Sequence, residues 1–280
     1  MLTSLSVRIA ELPRDKTRLS LPLEALLDAA AEAGFDGVSV RPSAIGVDSS
    51  DEERRAFKDA LDRRGLRASM VTGSLPLATN DADAPAVLRN ITPHLDLAEA
   101  LGARLVRVML HDDDDIAAAG RACDEARERG MRLLQQCHWG SLAETVEASA
   151  ALVRAVGREN FGLTFEPANL AACGSAYDRA AFVQLAPYLG NVYYQNVVLD
   201  DASPVRFATR VRGSVGVRFA PLDDAAGLDV DAFVDGLRAV AYDGWFTVHQ
   251  PLLPGQDMAQ AIAAAATLIR SHRLHEPAQE

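Results

Sequence analysis

Three cysteines, Cys123, Cys137 and Cys173, are all that this 280-residue chain contains, and none stands in CxxC spacing. A disulfide-stapled scaffold and a CxxC redox or zinc motif are therefore excluded, and the thiols fit a reducing compartment. Positive charge is scarce as well: 28 Lys and Arg face 39 Asp and Glu, a net charge of -11. Nucleic acid and anionic membranes are bound through clustered basic side chains, so neither is expected as a partner. No run reaches the roughly 18 apolar residues that a membrane-spanning helix needs. The opening MLTSLSVRIAELPRD has no long apolar core behind basic residues, and the expected location is cytoplasmic. Also missing are a GxGxxG after any strand, a Walker loop and GxSxG. These absences remove the usual signals for a dinucleotide fold, a P-loop enzyme and a serine hydrolase on an α/β sheet.

What is present is a core. With 49% hydrophobic and 24% charged residues, the chain can fill one barrel-sized domain over residues 1–280, with a core at about 3–274 and a frayed tail at 275–280. Strand and helix signals alternate along its length. LSVRIA (5–10), GVSVRP (37–42), LRASMVTG (66–73) and RLVRVML (104–110) read as the first four strands. MRLLQQCHWG (131–140), FGLTFEPAN (161–169), NVYYQNVVL (191–199) and WFTVHQ (245–250) read as the next four. Between them lie helical stretches: one closing at Gly34, one capped by Asp51, one at about 84–101 and one ending at Gly130 with the acidic run 111–115 over its start. SLAETVEASAALVRAVG, a stretch near 177–189, one near 230–240 and MAQAIAAAATLIRSHRL complete the set. Residues 200–228 read as a long irregular loop, which in a compact domain is usually functional. Eight strands, each followed by a helix, predict a closed (β/α)8 TIM barrel, with an open doubly wound sheet as the alternative. In either architecture ligands bind at the carboxyl ends of the strands.

AGFDGVSVR (33–41), LAEALGARLVRV (97–108), QQCHWGSLAET (135–145), FGLTFEPANL (161–170) and AYDGWFTVHQP (241–251) together resemble the sugar phosphate isomerase/epimerase group of the xylose isomerase-like TIM barrels. The resemblance implies a divalent cation held by a Glu ending strand five, an Asp on strand six, a His on strand seven and a Glu on strand eight. It also implies that the two Glu move protons beside a sugar carbonyl. At the matching positions this chain has Gln136 in Gln136-x-His138, Glu166 in Glu166-Pro167-Ala168-Asn169, Gln195 and His249. The pattern is kept in place and changed in chemistry.

Three of the usual ligands carry carboxylate charge, whereas this set retains one carboxylate, so Mg²⁺ or Mn²⁺ should be held weakly. His138, Glu166 and His249 offer a facial triad for a transition metal instead. The competing reading is a metal-free polar pocket. His249 is the candidate base and Glu166 its partner, against the plainer reading of a satisfied core histidine. Gln136, His138 and Gln195 are candidate substrate contacts, since strand parity turns Gln136 with His138, and Tyr193 with Gln195, to one face. Arg8, Arg41 and Arg107 interrupt strands at the mouth, His111 joins its rim, and Arg218 lies where related epimerases have an arginine before a loop. Trp139 and Trp245 are candidates for stacking on a sugar ring. Cys137 has the opposite parity and is expected to face away. The resulting expectation is proton transfer next to a carbonyl of a keto-sugar or polyol derivative, giving isomerisation, epimerisation or inosose-type dehydration. A carbohydrate-binding barrel without chemistry is the alternative, a phosphodiester-cleaving relative fits the charge poorly, and the sequence leaves open a homo-oligomer.

Overall fold

The computed structural model describes residues 1–12, 15–272 and 274, so the tail expected at 275–280 lies outside the described residues. Eight strands, β1 (Leu2–Ser6), β2 (Gly37–Val40), β3 (Arg67–Val71), β4 (Leu105–Val108), β5 (Arg132–Gln136), β6 (Phe161–Phe165), β7 (Leu189–Tyr194) and β8 (Trp245–Val248), close into a parallel barrel. Each pairs with its neighbours in chain order, and β1 pairs with both β2 and β8 to close the ring. Around it run α1 (Leu23–Glu32), α2 (Asp51–Asp62), α3 (Thr92–Leu101), α4 (Asp114–Glu128), α5 (Val146–Val156), α6 (Arg179–Leu185), α7 (Val230–Ala239) and α8 (Met258–Ser271). No helix among the described residues is long and apolar enough to cross a membrane.

Local chemistry sets these boundaries. Ser50 and Glu53 form a reciprocal capping box that starts α2, so Asp51 is its first residue rather than its cap. Thr145 caps α5, and Gly157 ends it at φ +62, a left-handed turn that glycine adopts without a Cβ clash. Strand alternation sorts the core into two parts. One set, including Phe165 and Phe246, packs outward onto the helices, where Phe165 stacks on Phe182 of α6 with ring centroids 4.1 Å apart. The other faces the lumen, where Met70, Leu105, Leu134 and Tyr193 form a small apolar plug. Cys137 belongs to the outward set and meets Ser149 of α5 at 3.5 Å.

Several expected boundaries move. The first strand ends at Ser6, and residues 7–10 form a 3-10 turn. The helix expected from residue 84 is a 3-10 turn at Ala84–Arg89 followed by α3, and a short helix, Leu75–Thr79, precedes both. The strand expected over 191–199 breaks after Tyr194, and 200–228 is irregular only in part. Val197–Leu199, Arg206–Thr209 and Gly213–Phe219 pair into a three-stranded antiparallel sheet above the barrel mouth. Asn196 accounts for the break, because its side chain donates to the carbonyls of Pro221 (2.7 Å) and Asp224 (3.0 Å) and accepts from Leu228 N–H (2.8 Å). It thereby ties the start of the excursion to its return.

The tip of that sheet is fixed by a side chain that sequence patterning did not single out. The Glu144 carboxylate is buried and accepts backbone N–H bonds from Gly140 (2.5 Å), Arg210 (2.8 Å) and Val211 (3.0 Å). Hydrogen bonds to a charged group contribute about 1.5–3 kcal/mol, so Glu144→Ala is expected to cost at least that much stability. It should also open 197–219 to limited proteolysis before the barrel unfolds. Unchanged urea unfolding together with an unchanged cleavage pattern would refute this role.

Candidate active site

The four residues aligned at the strand ends converge. Gln136 ends β5, while Glu166, Gln195 and His249 directly follow β6, β7 and β8, and all four line a cavity of about 300 Å³ at the carboxyl mouth. Glu166 is fully buried and is the acceptor at the centre. The Gln136 and Gln195 amides donate to its two oxygens, and Asn169 donates to Oε2 at 2.8 Å. Arg8 fixes the orientation of Gln195 by donating to its Oε1 at 2.9 Å, which leaves Nε2 for Glu166. Burial raises the proton affinity of Glu166, against the opposing pull of Arg8, the amide donors and Arg107.

The two histidines of the cavity differ in availability. His138 lies 2.6 Å through Nδ1 from the carbonyl of Trp139, which can only accept, so Nδ1 carries the proton. Its Nε2 accepts from Asn80 Nδ2 at 2.9 Å, and Asn80 is oriented in turn by Arg107, which donates to its Oδ1. Asn80 sits at φ 56, the left-handed conformation that asparagine tolerates, as the cap of the Leu75–Thr79 helix. His249 is held at Nδ1 by Ser6 Oγ (2.9 Å) and lies flat on the Tyr193 ring, with centroids 4.0 Å apart. Its Nε2 has no hydrogen-bond partner among the described residues. Burial, then Arg8, Arg41, Arg107 and Lys16, hold its pKa well below that of ordinary imidazole.

Arg8 on the 3-10 turn after β1, Arg41 just past β2 and Arg107 on β4 line the cavity, and Trp139 lines it with its ring stacked on Phe207 at 5.2 Å. Arg218 does not. Alternation in the strand Gly213–Phe219 gives the cavity to Phe219, while Arg218 is exposed, 4.0 Å from Asp200. His111 also stays outside; its backbone N–H and carbonyl serve Asp115 and Arg210. Trp245 opens β8 beside Leu2 at the opposite, amino end of the barrel, under Arg67. Lys16 and Asn80 are cavity residues that patterning missed.

The donor set does not fit a divalent cation. Where hard cations need anionic oxygen, two amides turn their NH₂ groups onto the one carboxylate, and His138 Nε2 already accepts a hydrogen bond. Among the described residues no three His, Cys, Asp or Glu side chains come together closely enough to hold a metal ion. The facial triad of His138, Glu166 and His249 is therefore not assembled, and the amide protons occupy the side of Glu166 that a cation would need.

No curated protein matches the chain. Among solved structures it is similar to a xylose isomerase domain protein from Planctomyces limnophilus, with TM-score 0.70 and 14% identity, over 98% of this chain and 96% of that one. It is similar also to a probable 3-DHS dehydratase from Bacillus anthracis, with TM-score 0.68 and 16% identity, over 96% and 99% of the two chains. A D-psicose 3-epimerase solved in the presence of D-fructose gives TM-score 0.69 at 16% identity, over 98% and 99%. At such identities the structures speak for the fold alone. The family model described as xylose isomerase-like TIM barrel matches residues 27–272, and the chain belongs to that family.

Proposed function

We propose that the mouth binds a keto-sugar or keto-polyol and moves a proton on the carbon next to its carbonyl without a metal. The observation that carries this reading is His249, the one imidazole lining the cavity with a nitrogen unpartnered among the described residues. In the tautomer whose Nδ1–H donates to Ser6 Oγ, Nε2 presents a lone pair to the substrate. The C–H proton passes to Nε2, its electron pair moves to the carbonyl oxygen, and the guanidinium charge of Arg8 and Arg107 stabilises the enediolate. One base serves one face of the enediolate. Returning the proton to the neighbouring carbon gives isomerisation, and delivering it to a departing hydroxyl one carbon further gives dehydration with loss of water. Epimerisation needs a second proton carrier on the opposite face, a role for which Glu166, already accepting three amide donors, is poorly suited.

Family likeness to a named epimerase and a named dehydratase supports this substrate class. Chelator-washed protein in D₂O, given a panel of keto-sugars, their phosphates and inososes, is expected to exchange deuterium into the carbon beside the carbonyl. Added Mn²⁺ or Mg²⁺ should leave the rate unchanged. Exchange that appears only with added metal would overturn the metal-free route, and binding without exchange, isomer or dehydration product would leave a carbohydrate-binding barrel.

A further inference from the structure

We propose, resting on that reading of the site, that the substrate carries an anionic group, a carboxylate or phosphate, seated against Lys16, Arg8 and Arg107. The chain as a whole has a net charge of -11, yet the charged residues lining the cavity are five cations, Arg8, Lys16, Arg41, Arg107 and Arg206, against the single carboxylate of Glu166. Arg41 is neutralised, since Glu11 pairs with it through two bonds of 2.6 and 3.2 Å. Among the described residues the other three inner cations have only neutral partners. Lys16 donates to the Ala78 carbonyl at 2.8 Å, Arg8 to the Gln195 amide oxygen at 2.9 Å, and Arg107 to the Leu77 carbonyl and Asn80.

Arg107 adds an independent sign of a missing partner. It is 1% exposed, and its Nε–H is buried with no hydrogen-bond acceptor among the described residues. A buried guanidinium without a carboxylate is costly unless an anion completes the site. The three cations also face one another. Burial, then Arg8 and Arg41, bring the Lys16 ammonium down to about 7, with Arg107 adding to the effect and Glu11 opposing it. An incoming anion reverses these repulsions, so binding above pH 7 should draw a proton onto Lys16.

Lys16 and Lys58 are the only lysines in the sequence, and Lys58 sits on the surface paired with Asp62 at 2.6 Å, which makes Lys16 individually readable. The test compares D-fructose with its matched anions, 2-keto-D-gluconate and D-fructose 6-phosphate, by calorimetry at pH 8 in buffers of different ionisation enthalpy. At least one anion is expected to bind roughly tenfold or more tightly than D-fructose, the scale of one charge-assisted hydrogen bond. That binding should take up protons, weaken with salt, and protect Lys16 but not Lys58 from acetylation read by mass spectrometry. Lys16→Gln should abolish the proton uptake, and Lys16→Arg should restore tight binding without it. Preference for the keto acid assigns a carboxylate and preference for the other assigns a phosphate, both supporting the proposal. Equal or tighter binding of D-fructose, or anion binding with neither proton uptake nor Lys16 protection, overturns it. Anion binding without proton exchange on carbon would sink only the catalytic reading, whereas turnover of neutral keto-sugars with no anion preference would sink only this one.

Discussion

His249→Gln is expected to lower turnover by about 10²- to 10⁴-fold, the usual contribution of a positioned acid–base group, while substrate still binds. Glutamine keeps polar atoms near Ser6 and the Tyr193 ring but has no lone pair able to carry a proton at neutral pH. The pH profile tests the same assignment. Burial, then Arg8, Arg41, Arg107 and Lys16, depress the His249 pKa, so the base stays neutral through the range where an ordinary imidazole would charge. The acid limb of kcat/KM should therefore lie well below 6.5, the ordinary value for histidine. With an anionic substrate an alkaline limb should appear near 7, where Lys16 loses its proton. A variant retaining turnover within a few-fold of the parent would rule out His249 as the base.

Acidification should unfold this protein at a mild pH. His94 in α3 is 6% exposed, neither ring nitrogen has a hydrogen-bond partner among the described residues, and burial lowers its pKa from 6.5 to about 4. His138 and His249 are also held well below 6.5, with burial the largest cause in each case. Below 6.5 the unfolded chain takes up protons that these buried rings refuse, so unfolding gains as pH falls. For His94 alone, a shift from 6.5 to about 4 corresponds to roughly 3 kcal/mol, fully present above 6.5 and lost as pH drops toward 4. Glu166 works in the opposite sense, because its raised proton affinity favours the fold as pH falls. Urea unfolding between pH 7.5 and 4.5 reads the slope. His94→Leu should flatten it by about one proton, and a parent stability independent of pH over that range would contradict the account.

The barrel was legible because each strand carries a run long enough to show its period, from GVSV in β2 to WFTV in β8. The strand-end residues were legible for a related reason: parity fixes the face of Gln136 from Leu134 and of Gln195 from Tyr193. The likeness to related epimerases misplaced Arg218 because the register of its strand was unknown. Arg218 and Phe219 exchange roles once 213–219 is an antiparallel strand paired with 197–199 and 206–209, an arrangement set by contacts far apart in sequence. Lys16 was invisible for a similar reason. It lies on Asp15–Leu19, which pairs with Glu11–Leu12 as a short ribbon, and nothing in ELPRDKTRLS shows that this ribbon turns toward Ala78. Glu144 and Asn80 act on backbone groups and on a neighbouring histidine, and such bonds leave no periodic trace.

Gln195 has one further consequence. Arg8 and Glu166 are opposite charges that could fall together into a direct ion pair, and the amide between them keeps them apart, accepting from one and donating to the other. It acts as an insulating spacer with a fixed polarity. Each ion is steadied by a dipole rather than cancelled by its opposite, so the guanidinium keeps its field directed at whatever enters the mouth. A side chain too short to span the gap would let these two charges short-circuit, and the barrel would survive with the field of Arg8 withdrawn from its mouth.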